Sequence, residues 1–140
     1  MIDVPRFHLA IPVDNLEEAR QFYTEILGCT VGREAERWID FNFYGHQVSV
    51  HLRNSTNETI PTNQVDGETV PARHFGVILD IPSWERLRDQ LQAKNITFLI
   101  QPQIRFKGKV GEQATMFFRD PSGNAIELKA FASDAQVFAT

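Results

Sequence analysis

A histidine, a short apolar run and then an aspartate occur twice in this chain, as HLAIPVD from His8 to Asp14 and as HFGVILD from His74 to Asp80. Duplication constrains the fold more tightly than composition does, because two copies of one supersecondary unit must bury matching faces. Each run has the length and apolar content of a buried strand, and each leads into a helix signature. After Asp14, Asn15 is placed to cap a helix, Glu17 and Glu18 fall in its first turn, and Gly28 stops it. Leu16, Ala19, Phe22, Tyr23, Ile26 and Leu27 recur at helical spacing and give that helix one apolar face. After Asp80, Ser83 is the expected cap, Leu87 and Leu91 share a face, and Asn95 lies near the end.

Strands broken by turns follow each helix. In RWIDFNFYGHQVSVHL, Ile39, Phe41 and Phe43 alternate with Trp38, Asp40 and Asn42, a strand with one apolar and one mixed face. In FFRDPSGNAIEL, Asp120, Pro121, Ser122 and Gly123 make a strong turn between two strands. The plan predicts an α+β fold of two βαβββ modules whose curved mixed sheets enclose a metal-binding cleft. Module one covers about 5–53, a linker about 54–71 and module two about 72–131, within a single domain of 140 residues. The linker is polar, rich in Asn, Thr and Pro and without periodicity, and it reads as a connection or a flap.

Composition narrows the function classes. No apolar run approaches the roughly 18 residues of a membrane-spanning helix. The N-terminal stretch lacks a secretory pattern and Cys29 is the only cysteine, so a cytoplasmic location is expected. A net charge of -4 argues against a nucleic-acid footprint. The local basic cluster Arg105, Lys107 and Lys109 reads as a solvated hairpin loop in preference to an anion site, and Glu112 and Gln113 beside it read the same way.

If the halves are copies, His8 and His74 head equivalent strands. Aligning the closing strands on VHL and IEL sets His51 opposite Glu127. A carboxylate or an imidazole is costly to bury without a partner or a metal. Imidazole and carboxylate donors suit Fe, Mn, Co, Ni or Zn, and two histidines with one carboxylate form the ligand set of non-haem Fe(II) oxygenases. His8, His74 and Glu127 are the expected ligands. His51 is either a fourth ligand or an acid-base group, and Ser49, on the same face, is the alternative occupant of its position. His46 should face away as a turn residue. Strand alternation makes Trp38, Asp40, Asn42, Thr115 and Arg119 candidates for the pocket wall.

FHLAIPVDNLEEARQFYTEILG, HFGVILD and FFRDPSGNAIELKAF together resemble the vicinal oxygen chelate superfamily, which includes glyoxalase I, extradiol dioxygenases, fosfomycin-resistance enzymes and bleomycin-binding proteins. RWIDFNFYGHQVSVHL with RFKGKVGEQATMFFRDPSGNAIELKAF is similar, more narrowly, to small bacterial proteins described as predicted extradiol-type dioxygenases. The resemblance implies a divalent metal, foremost Fe(II), on His8, His74 and Glu127, with His51 as catalytic acid-base group. It implies a small vicinal diol or catechol as substrate and a homodimer as the assembly. Glyoxalase I carries glutamate at the end of the first module where this chain has His51, and bleomycin-binding members lack the ligands. Ring-cleaving members usually have four modules and carry a tyrosine where this chain has Phe117. A glyoxalase-like isomerase or lyase, and a small-ligand-binding protein without turnover, are the alternative functions.

Overall fold

A computed structural model describes residues 4–54, 62–65, 68–71 and 73–140. The chain forms two compact units, Met1–Glu58 together with Asp120–Asn124, and Thr59–Arg119 together with Ala125–Thr140.

The first unit contains β1 (His8–Val13), α1 (Leu16–Gln21) continued by a π-helical turn (Phe22–Ile26), β2 (Thr30–Ala35), β3 (Trp38–Phe43) and β4 (His46–Leu52). Its sheet order is β1-β4-β3-β2, with β1 parallel to β4 and the other pairs antiparallel. The Asn15 side chain accepts from the Glu18 amide at 2.9 Å, satisfying one of the open N–H groups of the first turn. Gly28, at φ +75°, lets the chain leave the helix in the left-handed region that side chains resist. Ala19, Phe22, Tyr23 and Leu27 are buried from the helix, and Ile39, Phe41, Phe43, Val48 and Val50 from the strands. The predicted period-two pattern of β3 is therefore the one that packs.

The turn Asp120–Asn124 completes this unit. Asp120 Oδ1 accepts from the amides of Ser122 and Asn124, each at 2.9 Å. Its Oδ2 accepts from the Tyr23 hydroxyl at 2.8 Å and from Asn124 Nδ2 at 2.9 Å. Asn124 Nδ2 also donates to the Pro12 carbonyl at 2.8 Å, and the Asp14 amide donates to Ser122 Oγ at 2.8 Å. Burial, followed by the neighbouring Asp120 charge, pushes the Tyr23 hydroxyl well above its usual range.

The second unit contains β5 (Thr62–Val65), β6 (Glu68–Pro71), β7 (His74–Leu79), α2 (Ile81–Ala93), β8 (Phe98–Arg105), β9 (Gln113–Arg119), β10 (Ala125–Ala130) and a 3₁₀ turn (Asp134–Gln136). Its main sheet has the order β7-β10-β9-β8, with β7 parallel to β10, so the topology of the first unit is repeated. Asp80, not the expected Ser83, caps α2: its side chain accepts from the Ser83 amide at 2.8 Å. The reason is Pro82, whose fixed φ and missing N–H suit the first helical turn and move the cap three residues earlier. The Trp84 indole donates to the Leu128 carbonyl at 2.9 Å. Leu91, Met116, Phe118, Ile126, Leu128 and Ala130 are fully buried.

The architecture is thus α+β, two βαβββ modules with four-stranded mixed sheets. The segment read as an aperiodic linker contains the antiparallel pair β5 and β6, and residues 55–61, 66–67 and 72, on which the flap reading also falls, lie outside the described residues. Among the described residues no helix is long and apolar enough to cross a membrane.

Candidate metal and substrate face

One face of the second sheet gathers the chemistry. In register, Glu127 of β10 lies between Gly76 of β7 and Phe117 of β9, Lys129 lies opposite Thr115, and Arg105 of β8 lies opposite Gln113. His74, two residues before Gly76, is on the same face because strand side chains alternate. His74 Nε2 is 3.3 Å from Glu127 Oε1. Thr115 Oγ1 donates to Glu127 Oε2 at 2.5 Å, which fixes the rotation of the carboxylate. Lys129 Nζ stands 3.9 Å from Glu127 Oε1, beyond hydrogen-bond length. His74 Nδ1 is 2.7 Å from the Pro71 carbonyl. A carbonyl only accepts, so Nδ1 carries the hydrogen, and a neutral ring then aims its Nε2 lone pair at the carboxylate. An imidazole nitrogen and a carboxylate oxygen are both donors that divalent metals accept, so the residues of this pair fit such an ion.

Phe117 is 1% exposed and its ring meets His74 edge to face, with centroids 4.9 Å apart. Gly76 makes the close approach of β7 possible, since a Cβ there would lie 1.5 Å from the Glu127 carbonyl oxygen. Of the other expected residues here, Thr115 is buried as the donor to Glu127, while Arg119 is exposed opposite Ala125 at the end of β9.

The first sheet presents the equivalent face. His8 heads β1 and is exposed, as His74 heads β7. Ala10 pairs with Ser49 in the first sheet as Gly76 pairs with Glu127 in the second. The positional counterpart of Glu127 is therefore Ser49, and the pairing of His51 with Glu127 read from the sequence is two residues out of register. A shift of two preserves the face, so alternation could not reveal it. Ser49 is buried and its hydroxyl hydrogen-bonds Asp40 Oδ1, which lies directly opposite in β3. Gln47 Nε2 donates to the other Asp40 oxygen at 3.3 Å. His51 is exposed, opposite Trp38, and Asn42 Oδ1 accepts from the Gly45 amide at 2.8 Å, so it serves the hairpin turn. His46 is not in the turn: it opens β4 and its Nδ1 accepts from the Phe7 amide at 3.0 Å.

Among the described residues no group of three or more His, Cys, Asp or Glu side chains comes together as a metal site. The structure brings together two of the expected donors, His74 and Glu127. Arg105 was missed: it is the last residue of β8, 5% exposed, and not part of a solvated loop. The one signal that pointed to it was its place at the end of FLIQPQIR, a run of strand length and alternating character.

The fold and the sequence both have known counterparts. Residues 7–128 match the Glyoxalase/Bleomycin resistance protein/Dioxygenase superfamily. The chain is similar to a glyoxalase/bleomycin resistance protein/dioxygenase from Alicyclobacillus acidocaldarius, with 30% identity, 96% of each chain covered and a TM-score of 0.81. It is similar to an integron cassette protein from the mobile metagenome of a Halifax Harbour sewage outfall, with 26% identity over 91% of this chain and 98% of that one, TM-score 0.66. The fosfomycin resistance protein FosX of Listeria monocytogenes, 14% identical over 96% of this chain and 98% of its own, shares the fold at a TM-score of 0.69. No curated protein matches the chain.

Proposed function

Because the chain belongs to the glyoxalase/bleomycin resistance protein/dioxygenase superfamily, whose members usually bind a divalent metal, we propose that it is a cytosolic metal-dependent enzyme, an Fe(II) extradiol-type dioxygenase of a small vicinal diol or catechol. The observation that carries this is the His74 and Glu127 pair, with the Pro71 carbonyl holding the histidine hydrogen on Nδ1. His8 is assigned as the third ligand, supplied by the same chain or by a second copy in a homodimer. A divalent metal on these residues supplies Lewis acidity toward two adjacent substrate oxygens. Thr115 keeps one carboxylate oxygen occupied so that the other faces His74. The Phe117 ring keeps water from the flank of His74. His51 is the acid-base group that exchanges a proton with the substrate hydroxyl.

A glyoxalase-like isomerase or lyase is the second reading, and it is favoured by Phe117 at the place where ring-cleaving relatives carry tyrosine. Reconstitution with Fe(II) under anaerobic conditions, desalting and elemental analysis test the site. Near-stoichiometric iron, lost in a His74→Ala, Glu127→Ala double variant, is the expected result. Absence of bound Fe, Mn, Co, Ni and Zn from the unaltered protein would overturn the reading. Oxygen consumption with catechols then separates dioxygenase from isomerase, which uses none.

A further inference from the structure

A buried arginine normally has its guanidinium hydrogen-bonded and its charge balanced, because an unpaired buried cation is strongly unfavourable. Arg105 is 5% exposed, and among the described residues neither its Nε nor its Nη2 has a hydrogen-bond partner. These two nitrogens form one edge of the guanidinium, with N–H bonds pointing the same way, the edge that receives both oxygens of a carboxylate. The guanidinium carbon lies 5.9 Å from the centre of the Phe117 ring, the same ring that His74 meets at 4.9 Å. Gln113, opposite Arg105 in the register, has a buried Oε1 that also lacks a partner. Turning that amide toward Arg105 would still leave the charge unbalanced, because an amide oxygen is neutral.

We propose that Arg105 is the anchor for a carboxylate group on the substrate, so that the molecule turned over on this face is an acid, with Gln113 Oε1 accepting from a hydroxyl or amide N–H beside that carboxylate. The substrate class is then an aromatic or small aliphatic carboxylic acid that carries two adjacent oxygens some distance from its acid group. Phe117 is the spacer between the two recognition points: one end of the ligand lies by Arg105 and the reacting end by His74 and Glu127. This rests on the reading of that face as the reaction site, and it adds the specificity-determining residue to it.

Benzoate and its neutral analogue benzamide, neither of which has adjacent oxygens, test the carboxylate subsite apart from the chemistry. In the unaltered protein, benzoate should shift the Nε–H resonance of one arginine and raise the Tm, and benzamide should do neither. Arg105→Gln should weaken benzoate binding by roughly 10-fold to 100-fold, the worth of hydrogen bonds to a charged group, while still binding iron. The His74→Ala, Glu127→Ala double variant should lose iron and keep benzoate. Arg105→Met should raise the Tm of the ligand-free protein, because it removes a buried charge that has no partner. Equal responses to benzoate and benzamide in the unaltered protein, a benzoate affinity unchanged by Arg105→Gln, or a lower Tm in Arg105→Met would overturn the proposal. Benzoate binding through Arg105 in a protein that binds no metal would keep the subsite and overturn the reaction assigned to the face.

Discussion

The two modules share a strand order and a register, yet their open faces differ in burial and in charge. On the first, Trp38 and Asp40 are half-buried and Asn42 and His51 are exposed; on the second, Arg105, Thr115, Phe117 and Glu127 are all at least nine-tenths buried. The first sheet answers its half-buried carboxylate locally, by the Ser49 hydroxyl and the Gln47 amide. On the second, His74 Nε2 faces the Glu127 carboxylate at 3.3 Å, and among the described residues two buried Arg105 nitrogens have no hydrogen-bond partner. Duplication supplied one scaffold twice, and the unsatisfied chemistry was concentrated on one copy. The half-buried carboxylate of the first face is thus hydrogen-bonded within its own sheet, and the buried guanidinium of the second is not.

The largest expected effect comes from exchanging functions at the shared register position. Glu127→Ala should reduce iron affinity by well over the roughly 100-fold typical of losing a residue that only supports a ligand. Ser49→Ala, its counterpart, should leave iron binding unchanged, and a comparable loss from both would make the two faces equivalent. Next is the approach of the first strand. Gly76→Ala should cost about 1–3 kcal/mol, because its Cβ would collide with the Glu127 backbone. Ala10→Gly, at the same register position in the first sheet, should cost at most about 1 kcal/mol through chain entropy. Urea midpoints of the two variants check this, and equal costs would mean that β7 can shift to accept the methyl group.

Both tyrosines and the only cysteine belong to the first unit, so alkaline pH should act on that module. Burial pushes the Cys29 thiol from 9.0 up to about 12, and raises Tyr23 and Tyr44 above 10.0 as well. Each neutral form is favoured in the fold, so the stabilisation is complete below about pH 9 and is lost as pH rises from there toward 12. For Cys29 alone the loss at pH 10 is on the order of 1 kcal/mol. Unfolding free energies between pH 8 and 11 should fall more gently in Cys29→Ala, and an unchanged slope would remove Cys29 from the account. A small effect, about 1 kcal/mol by thermal unfolding, is expected of Tyr23→Phe, because Asp120 Oδ2 keeps its bond from Asn124 after the hydroxyl is gone. A loss of several kcal/mol would show that the Tyr23 hydroxyl organises the whole Asp120 turn.

The repeat was legible because its two signals are local: a histidine before an apolar strand, and a capped amphipathic helix after it. Asn15, Gly28 and the Asp120 turn act as their residue types predict. His74 and Glu127 were readable as partners because a carboxylate inside AIEL has few other reasons to be there. What failed depends on pairing between strands. His51 was matched to Glu127 by sequence likeness, but the ladder that puts Ser49 there is set by the turn between β3 and β4, where Tyr44 and Gly45 have positive φ. Arg105 was hidden by its neighbours, since Phe106, Lys107, Gly108 and Lys109 are an exposed turn and the strand ends one residue before them. The pair β5 and β6 was missed although Asp66-Gly67 stands between them in the sequence, a dipeptide that favours hairpins.

The Tyr23 hydroxyl and the Asp120 carboxylate that accepts from it are 97 positions apart. A ribosome adding about 5–20 residues per second needs roughly 5–20 s to cover that stretch. During that interval the first helix and sheet exist without the turn that receives Tyr23, Pro12 and Asp14. The N-terminal module is therefore the first to be synthesised and among the last to be finished. Translation rate, and any chaperone that shelters a half-made chain, should affect the yield of this module more than that of the one that follows it.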